Sequence, residues 1–342
     1  MNKRNKNILF LLILAVLFSV LVSANLGAAF ITWQDFMASF GKLFSAFNFN
    51  HKDIILFNIR FPRVIGAALV GSILALTGTS IQGVFKNPLA DPSIIGISAG
   101  AALSAAVVIV ILSSLVSFAA WGGLSVLSLT TFVGAFFTAW LVFKIAQHHK
   151  KTNIATLLLA GIAINAFSGA IMGALIYSAN DVQLRSITFW TMGSLGGLNW
   201  TQLGILSIAA IVCWIFLVPI GKSLNALALG ENEAFLMGVS SEKIKRRVIV
   251  ISSIAVGSTV AFCGMIGFVG LVVPHILRLW IGPDHRFLLP ASALGGALLL
   301  IWADTFARTI VAPTELPIGI LTSAIGAPLF LYLLIQQKKQ LL

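Results

Sequence analysis

Charged side chains are scarce in this chain. Asp, Glu, Lys and Arg make up only 9% of its 342 residues, whereas a soluble domain carries about 25%. Hydrophobic residues make up 58%, and the mean hydropathy is +1.01. A surface with so little charge must be solvated by lipid, which excludes a soluble globular protein.

Acidic residues are the rarest charged group, with ten against 22 Lys and Arg. Asp304 is the one acid near membrane depth, and it precedes Arg308 by four residues, which predicts an i,i+4 ion pair on a helix. The sequence shows no Ser-His-Asp set, zinc-binding pattern or pair of intramembrane carboxylates. Gly221-Lys222-Ser223 imitates the end of a phosphate-binding loop, but Phe216 replaces the required first glycine. We therefore predict that the chain is not an enzyme and does not hydrolyse ATP. A proton- or ion-coupled secondary transporter is the alternative, and it would need more buried acids.

Cysteine is nearly absent. Cys213 and Cys263 each lie inside an apolar stretch without metal-ligand spacing, so we expect two buried small hydrophobes and no disulfide framework. His275 and His285 allow a haem-ligand interpretation, but both sit beside turns or a proline, and a structural role is the simpler prediction. No permanently bound cofactor or metal is expected.

Long apolar stretches occupy most of the chain, and each is close to the ~20 residues that one transmembrane helix needs. Lipid-exposed backbone must satisfy its own hydrogen bonds, so every span is predicted to be helical. The sequence thus predicts an all-α polytopic membrane protein with about ten transmembrane helices in a single domain, residues 1–342. The predicted spans are 8–31, 64–85, 94–116, 119–143, 154–178, 201–220, 248–266, 268–281, 287–307 and 317–336.

Two of these spans need comment. The first could be a cleaved secretory signal with its cleavage site after Ala24, but the apolar run continues through Phe30 and favours a membrane span. The eighth is too short for a regular crossing and is interrupted by Gly267, Gly270 and Pro274. It is therefore predicted to be a broken helix packed inside the protein or lining a cavity.

Basic residues cluster in alternate loops and at both ends of the chain. This pattern follows the positive-inside rule and predicts that both termini are cytoplasmic, in the cell (inner or cytoplasmic) membrane. The net charge of +12 is then a signal of orientation and not of nucleic-acid binding. The inner residues include Lys3, Arg4, Lys6, Lys86, Lys144, Lys150, Lys151, Lys243, Lys245, Arg246 and Arg247.

A weak internal similarity suggests an inverted repeat. Arg63-Val64-Ile65 begins the second span and Arg247-Val248-Ile249 begins the seventh, and Gly78 and Gly264 follow at similar offsets. The two spans run in opposite directions, as in inverted-topology transporters.

A polar loop at about 222–245, after the sixth span, contains two short helical patterns that meet at Gly230. Glu231 lies in the first turn of the second pattern, where the helix dipole favours an acid. Apolar residues on such short cytoplasmic helices need a partner to cover them. We expect this loop to dock on a cytoplasmic subunit through Leu229, Gly230, Glu231, Ala234 and Gly238.

Three arginines lie at the predicted outer ends of spans: Arg60 and Arg63 before the second, and Arg308 at the end of the ninth. They could snorkel to lipid headgroups. They could instead form a cationic rim that pairs with carboxylates of a docking protein. The residues alone leave both interpretations open.

Small residues are dense along the fifth span. Gly161 precedes Asn165 in the sequence, and Gly169 and Gly173 follow it at four-residue spacing. Small-xxx-small faces allow close helix approach. The pattern indicates packing within one subunit, a face shared with a second copy, or the wall of a translocation path.

Several motifs in order resemble the permease family of iron-chelate, haem and cobalamin ABC importers, over residues from about Arg60 to Leu334. They are Arg60-Phe-Pro-Arg63, Asn87-Pro-Leu-Ala-Asp-Pro92, Gly267-Phe-Val-Gly-Leu-Val-Val-Pro-His275, Asp284-His-Arg286, Ala303-Asp304 with Arg308, and Glu315-Leu-Pro-Ile-Gly319. The resemblance implies a cobalamin-importer-permease-like fold and a homodimer. It also implies two cytoplasmic ATPases that bind ATP, and one extracytoplasmic binding protein. In that family, outer arginines pair with glutamates of the binding protein, which favours docking for Arg60, Arg63 and Arg308. The loop would supply the coupling helices.

One segment is similar to the haemin importer permeases in particular: Asp181-Val-Gln-Leu-Arg185, Phe189-Trp190 and Gly193-Ser-Leu-Gly-Gly197. This similarity favours haem as cargo over a ferric siderophore, with cobalamin the least favoured.

Overall fold

The computed structural model describes residues 3–27, 32–42, 50–112, 123–149 and 151–340. Most of these residues are helical, and the strands form one short hairpin. The helices are α1 (Lys3–Asn25), α2 (Trp33–Lys42), α3 (His51–Phe85), α4 (Ile97–Leu112), α5 (Gly123–Ala146), α6 (Ile154–Ser178), α7 (Asp181–Met192), α8 (Trp200–Leu217), α9 (Gly221–Leu229), α10 (Glu231–Leu236), α11 (Ser241–Cys263), α12 (Val269–Ile281), α13 (His285–Thr309) and α14 (Ile318–Gln340). The hairpin joins β1 (Gln147–His148) to β2 (Lys151–Thr152).

Each of the ten predicted spans corresponds to one helix. Within the described residues, seven helices have the length and hydropathy to cross a membrane, and α4, α12 and α14 are shorter apolar helices. The prediction of an all-α polytopic fold is confirmed. The predicted span ends at 28–31, 113–116 and 119–122 lie outside the described residues.

Helix α3 forms the centre of the bundle and is buried along most of its length. It packs most extensively against α13, and also against α8, α11 and α12. Glycines permit this close packing: a Cβ placed at Gly71 would lie 2.1 Å from the carbonyl oxygen of Gly296 on α13. A Cβ at Gly78 would lie 2.1 Å from the carbonyl oxygen of Gly270 on α12. The helices therefore touch backbone to backbone at both places.

The start of α3 differs from the prediction. The sequence predicts a span from residue 64, whereas the helix begins at His51, where Asn50 and Asp53 form a capping box. Residues 55–60 form a π-helical stretch, in which the Phe61 N–H donates to the carbonyl of Leu56. Pro62, which has no N–H, follows where ordinary α-helical spacing resumes. Arg60 and Arg63 thus lie within a continuous helix and not at its start.

The eighth span is short, as predicted, but it is not broken internally: α12 continues through Gly270 and Pro274, and the irregular backbone lies before it. Helix α11 ends at Cys263, and Gly264 has φ +69°. Residues 264–268 are not helical. The chain bends at Phe268, whose φ is +66°. The 13-residue α12 follows and contains Pro274. This irregular backbone is tolerated because it is covered by protein on at least one side.

The paired glycines of the inverted-repeat interpretation have different positions in the fold. Gly78 lies inside α3 against α12, whereas Gly264 terminates α11. The inverted repeat stays a prediction.

Helix α7 and the loop after it were not anticipated as structural elements. The Ser194 N–H donates to the carbonyl of Cys263 at 2.8 Å, and the Ile318 N–H donates to the carbonyl of Gly193 at 3.2 Å. The loop therefore connects the end of α11 to the start of α14. It holds together the side of the bundle on which the outer arginines lie.

Helix α1 packs along α13 and is part of the bundle. The indole N–H of Trp302 donates to the hydroxyl of Ser19 at 3.0 Å, and the hydroxyls of Ser23 and Thr305 lie 2.7 Å apart. These contacts favour the membrane-span interpretation of residues 8–31 over a cleaved signal.

Candidate functional site

Five charged side chains meet where α3 and α13 reach the same end of the bundle, and we call them the outer cluster. The cluster consists of Arg60, Arg63, Asp304, Arg308 and Glu315. It combines three cations with two acids.

Asp304 and Arg63 form the central pair of the outer cluster. The Nε of Arg63 donates to both carboxylate oxygens of Asp304, at 2.9 and 3.0 Å, and its Nη2 lies 2.9 Å from Oδ1. The Nη1 donates to Glu315 at 2.7 Å. Only the Glu315 side chain is substantially exposed, at 48%, while that of Asp304 is 1% exposed. Arg63 thus bridges a buried acid and an acid that solvent can reach.

The other two arginines are held by the end of α1. Arg308 donates through Nη2 to the carbonyl and hydroxyl oxygens of Ser23, at 2.5 and 2.7 Å. Arg60 donates to the carbonyls of Ala24 and Asn25, at 3.1 and 2.6 Å. Carbonyls without partners at a helix C-terminus accept such bonds readily.

Burial distinguishes this arrangement from both interpretations made from the sequence. Arg60, Arg63 and Arg308 are only 4, 7 and 6% exposed, so they neither snorkel outward nor form an open rim. The predicted i,i+4 contact is present, with Arg308 Nε 3.5 Å from Asp304. The better-aligned partner of Asp304 is Arg63, however, on another helix. Docking through these arginines stays a prediction, and it requires them to exchange their present partners.

The loop at about 222–245 folds into two short helices, as predicted. Helix α9 ends at Gly230, whose φ of +149° suits glycine. Helix α10 follows, with Glu231 and Glu233 in its first turn. Gly238, with φ +77°, then turns the chain toward α11.

The exposed residues of this element are only partly those predicted. Leu229 is exposed, but Ala234 is fully buried, so the expectation that Ala234 meets a partner is wrong and this residue packs inward. Phe235 and Leu236 are 76 and 85% exposed and were not among the predicted contacts. The sequence could have indicated this exposure. Ala234, Phe235 and Leu236 are consecutive on a six-residue helix, and three consecutive helical residues cannot all point to one buried side.

Lys245 anchors α10 to the bundle. Its ammonium group lies 2.8 Å from Glu231 and 3.1 Å from Glu242, and it donates to the carbonyl of Thr152 at 3.1 Å. The bond from Lys245 is the main reason that the pKa of Glu231 is lowered. Helix α10 is thus tied to the first turns of α11 and to strand β2.

Asn225 anchors α9 to the start of α13. Its side-chain amide donates to Asp284 at 2.6 Å, and its oxygen accepts the backbone N–H of His285 at 2.9 Å. Side-chain bonds from Arg286, and then from Asn225, lower the pKa of Asp284 to about 2, so this carboxylate stays ionised at physiological pH. His285 Nδ1 lies 2.8 Å from the same Asn225 oxygen. Because His285 is 8% exposed and its Nε2 is also buried, it has a structural role and does not lie where haem could reach it.

The small-residue face of α6 is divided. A Cβ at Gly161 would lie 1.9 Å from the carbonyl of Ile94. Gly161 therefore packs inside the subunit, which is one of the three interpretations, and it does not line a dimer face or a translocation path in this structure. No described atom lies within 4 Å of a Cβ built at Gly169 or Gly173. Asn165, between the two regions, is half-buried, and its side-chain oxygen lacks a hydrogen-bond partner in the described part of the chain.

Metal-binding clusters were also sought. Among the described residues, no group of three or more His, Cys, Asp and Glu side chains is placed to hold a metal ion.

Comparison with known protein families identifies the family of this chain. The model of the FecCD transport family matches residues 11–336, nearly the whole chain. The chain belongs to the FecCD transport family. The family is one of ABC transporter permeases, so the resemblance drawn from the sequence motifs is confirmed.

Individual relatives cover almost the full chain. The hemin transport system permease protein HmuU of Yersinia pestis is 45% identical over 97% of this chain and 96% of that protein. The vitamin B12 import system permease protein BtuC of Vibrio vulnificus is 39% identical over 88% of this chain and 87% of that protein. Among solved structures, a chain described as an inward-facing metal-chelate type ABC transporter gives a TM-score of 0.83 at 33% identity. It covers 97% of this chain and 99% of that one.

These matches confirm the cobalamin-importer-permease-like fold. They establish the chain as a multi-pass membrane protein and as the permease subunit of an importer in the iron-chelate, haem and cobalamin family. Membership in a family of ABC permeases therefore decides against the secondary-transporter alternative.

Proposed function

We propose that this chain is the permease of an ABC importer that moves haem from an extracytoplasmic binding protein into the cytoplasm. The observation that carries the proposal is the 45% identity with a hemin permease over 97% of the chain. The similarity of residues 181–197 to haemin permeases, noted from the sequence, supports the same cargo. The chain itself holds no permanent cofactor, and ATP is bound and hydrolysed by two copies of a cytoplasmic ATPase.

The proposed setting is the cytoplasmic membrane, as a homodimer with both termini in the cytoplasm. The distribution of basic residues supports the orientation. The exposed apolar residues of α9 and α10 then face the cytoplasm, where an ATPase groove can cover them. The outer cluster faces the binding protein.

We call helices α9 and α10 the coupling element, and their anchors support a mechanism of partner-driven gating. Movement of the ATPases displaces α9 and α10, and the bonds of Asn225 and Lys245 pass that displacement to α13 and α11. The dimer alternates between outward and inward openings. Few fixed polar groups line the open face of α6, which suits a bulky, partly apolar cargo.

The decisive experiment is ATP hydrolysis by the reconstituted complex of this chain, its ATPase and its binding protein. We expect haem-loaded binding protein to stimulate hydrolysis, and ferric-siderophore-loaded or cobalamin-loaded protein not to. Stimulation only by siderophore-loaded or cobalamin-loaded binding protein would support an importer function but contradict haem as the cargo. A complex that no loaded binding protein stimulates would contradict the import cycle itself.

Coupling predicts a specific effect of Phe235→Ser combined with Leu236→Ser. Covering each side chain in a partner groove contributes about 1.5–3 kcal/mol, so the affinity for the ATPase should fall at least about tenfold. The measurement is co-purification of the ATPase with the detergent-solubilised permease. Val182→Ser is the control, because Val182 is 75% exposed but lies on α7, on the opposite side of the proposed topology. Undiminished co-purification by the double variant would remove α10 from the interface.

Dimerisation through α6 predicts that Gly169→Leu with Gly173→Leu weakens self-association without unfolding the subunit. A Cβ at either position has open space around it in its own subunit, whereas a leucine there would separate two closely packed helices. We expect at least about a tenfold rise in the dimer dissociation constant, measured by analytical ultracentrifugation in detergent. Gly204→Leu is the matched control, since a Cβ at Gly204 on α8 also meets no described atom. If the control weakens the dimer equally, α6 has no special role.

Docking through the outer arginines predicts that Glu315→Gln strengthens binding-protein affinity. The substitution removes the exposed acid that pairs with Arg63 Nη1 and makes this nitrogen available to a partner carboxylate, while Asp304 keeps Nε and Nη2. A partly exposed pair is worth at most about 1 kcal/mol, so the gain is up to about fivefold. Affinity is measured by surface plasmon resonance on the detergent-solubilised complex. Asp181→Asn makes the same charge change at an exposed position on α7, and we expect it to have no effect. An unchanged or weakened affinity for the Glu315 variant would show that Arg63 is not a docking group.

A further inference from the structure

The basic ends of α5 and α11 enclose a cleft that the transport cycle described above does not use. The two helices pack closely where Gly257 faces Phe132 and Ala135. Toward the start of α11, they leave a cleft of about 500 Å³ between them. Its lining residues are Trp140, Phe143, Lys144, Gln147, Glu242, Lys243, Arg246 and Val250.

Three cations line this cleft: Lys144, Lys243 and Arg246. All three are exposed, and none has an ion-pair partner among the residues that the structure describes. Glu242 is the one acid in the lining, and both of its oxygens are occupied, by Lys245 at 3.1 Å and by the Thr152 N–H at 2.9 Å. The cleft therefore presents uncompensated positive charge.

The apolar part of the cleft lining is formed by Trp140, Phe143 and Val250, and on α5 it continues into an exposed apolar face. Exposed apolar residues follow one face of that helix, Leu129, Val133, Phe137 and Trp140, and Lys144 comes next on the same face. The Lys144 ammonium lies 6.0 Å from the centre of the Trp140 ring. Trp and Lys at the end of an apolar helix face are typical of the membrane–water interface.

The position on α11 separates this cleft from the coupling element. Lys243, Arg246 and Val250 share one exposed face of the helix, at spacings of three and four residues. Lys245 lies on the buried face and binds Glu231 of α10. The surface that α9 and α10 offer to an ATPase is thus on the other side of the first turns of α11.

We propose that this cleft binds the phosphate headgroup of an anionic phospholipid. The three cations hold the phosphate, and the acyl chains lie along the apolar face of α5. Basic pockets between transmembrane helices at the cytoplasmic side are the chemistry that anionic headgroups require. The assignment is independent of the transported cargo.

The test is native mass spectrometry of the purified full-length chain in detergent, supplied with cardiolipin, phosphatidylglycerol or phosphatidylcholine. The wild type should retain the two anionic lipids and not phosphatidylcholine. The triple variant Lys144→Gln, Lys243→Gln, Arg246→Gln should bind cardiolipin about a hundredfold more weakly, and Arg246→Gln alone about fivefold. The single variant keeps the test available if the triple variant does not fold.

The control variant Lys3→Gln, Lys6→Gln, Lys86→Gln removes the same charge from exposed positions outside the cleft, and it should retain the lipid. If this control loses cardiolipin as strongly as the triple variant does, the lipid is attracted by the whole basic surface, and the proposed site is wrong. Equal retention of phosphatidylcholine would overturn its anionic preference. If the triple variant keeps its lipid and instead loses the ATPase on co-purification, the cations belong to a protein interface and the proposal is wrong.

Discussion

Asp304→Asn should lower the free energy of unfolding by about 3–5 kcal/mol. Asp304 is almost fully buried, and its carboxylate is the counter-charge for Arg63 and, at a longer distance, for Arg308. Removing this buried acid leaves the three arginines of the outer cluster with Glu315 as the one acid of the cluster, so the excess positive charge is buried and poorly hydrated. The measurement is unfolding of the detergent-solubilised chain by increasing concentrations of SDS.

Two further variants make this result specific. Glu315→Gln removes the other acid that contacts Arg63, but Glu315 is about half exposed, so we expect a loss below about 1 kcal/mol. Adding Arg63→Met to Asp304→Asn removes the stranded cation and should restore part of the lost stability. Equal losses for Asp304→Asn and Glu315→Gln would contradict the assignment of Asp304 as the buried centre of the cluster.

Gly296→Ala should prevent normal assembly of α3 with α13, at a loss of at least about 3 kcal/mol. The new Cβ would lie 2.2 Å from the carbonyl oxygen of Gly71 and 2.5 Å from the Cβ of Ala75. The first of these contacts is with backbone, so the two helices must separate instead of a side chain rotating away. We expect a sharply reduced yield of monodisperse protein and a lower unfolding temperature.

Gly204→Ala is the matched control for this substitution. Both glycines lie inside transmembrane helices, but no described atom lies within 4 Å of a Cβ at Gly204. Alanine is up to about 1 kcal/mol more favourable than glycine in a helix interior, so this variant should be as stable as the wild type or slightly more stable. If both variants behave alike, the close contact between α3 and α13 is not essential.

The helices of the bundle were predictable because lipid imposes a simple rule. A segment that crosses the membrane must be apolar and must pair its own backbone groups, and both properties can be seen in a single sequence. The irregular backbone next to α12 was predictable only in part, since Gly267 lies in it but Gly270 and Pro274 lie inside the continuous helix. The start of α3 was not, because His51–Arg60 is polar enough to resemble a loop and is helical through its cap and its tertiary contacts.

The outer cluster shows why the candidate sites were harder to predict than the helices. A spacing of four residues predicts a contact between Asp304 and Arg308, and that contact exists. The stronger bond, from Asp304 to Arg63, joins residues far apart in sequence and depends on α3 packing against α13. Gly161 and Gly173 illustrate the same limit, because both match one small-residue pattern and only the fold decides which of them is covered.

Helix α13 has a fixed attachment at each end. Its first residue is bonded to Asn225 of the coupling element, and its last turns carry Asp304 and Arg308 of the outer cluster. A straight helix of this length spans about 37 Å, so a tilt of about 5° around one end shifts the other by about 3 Å. We therefore expect a displacement of the coupling element to reach the outer cluster through α13, with Pro290 as the point where the helix can bend.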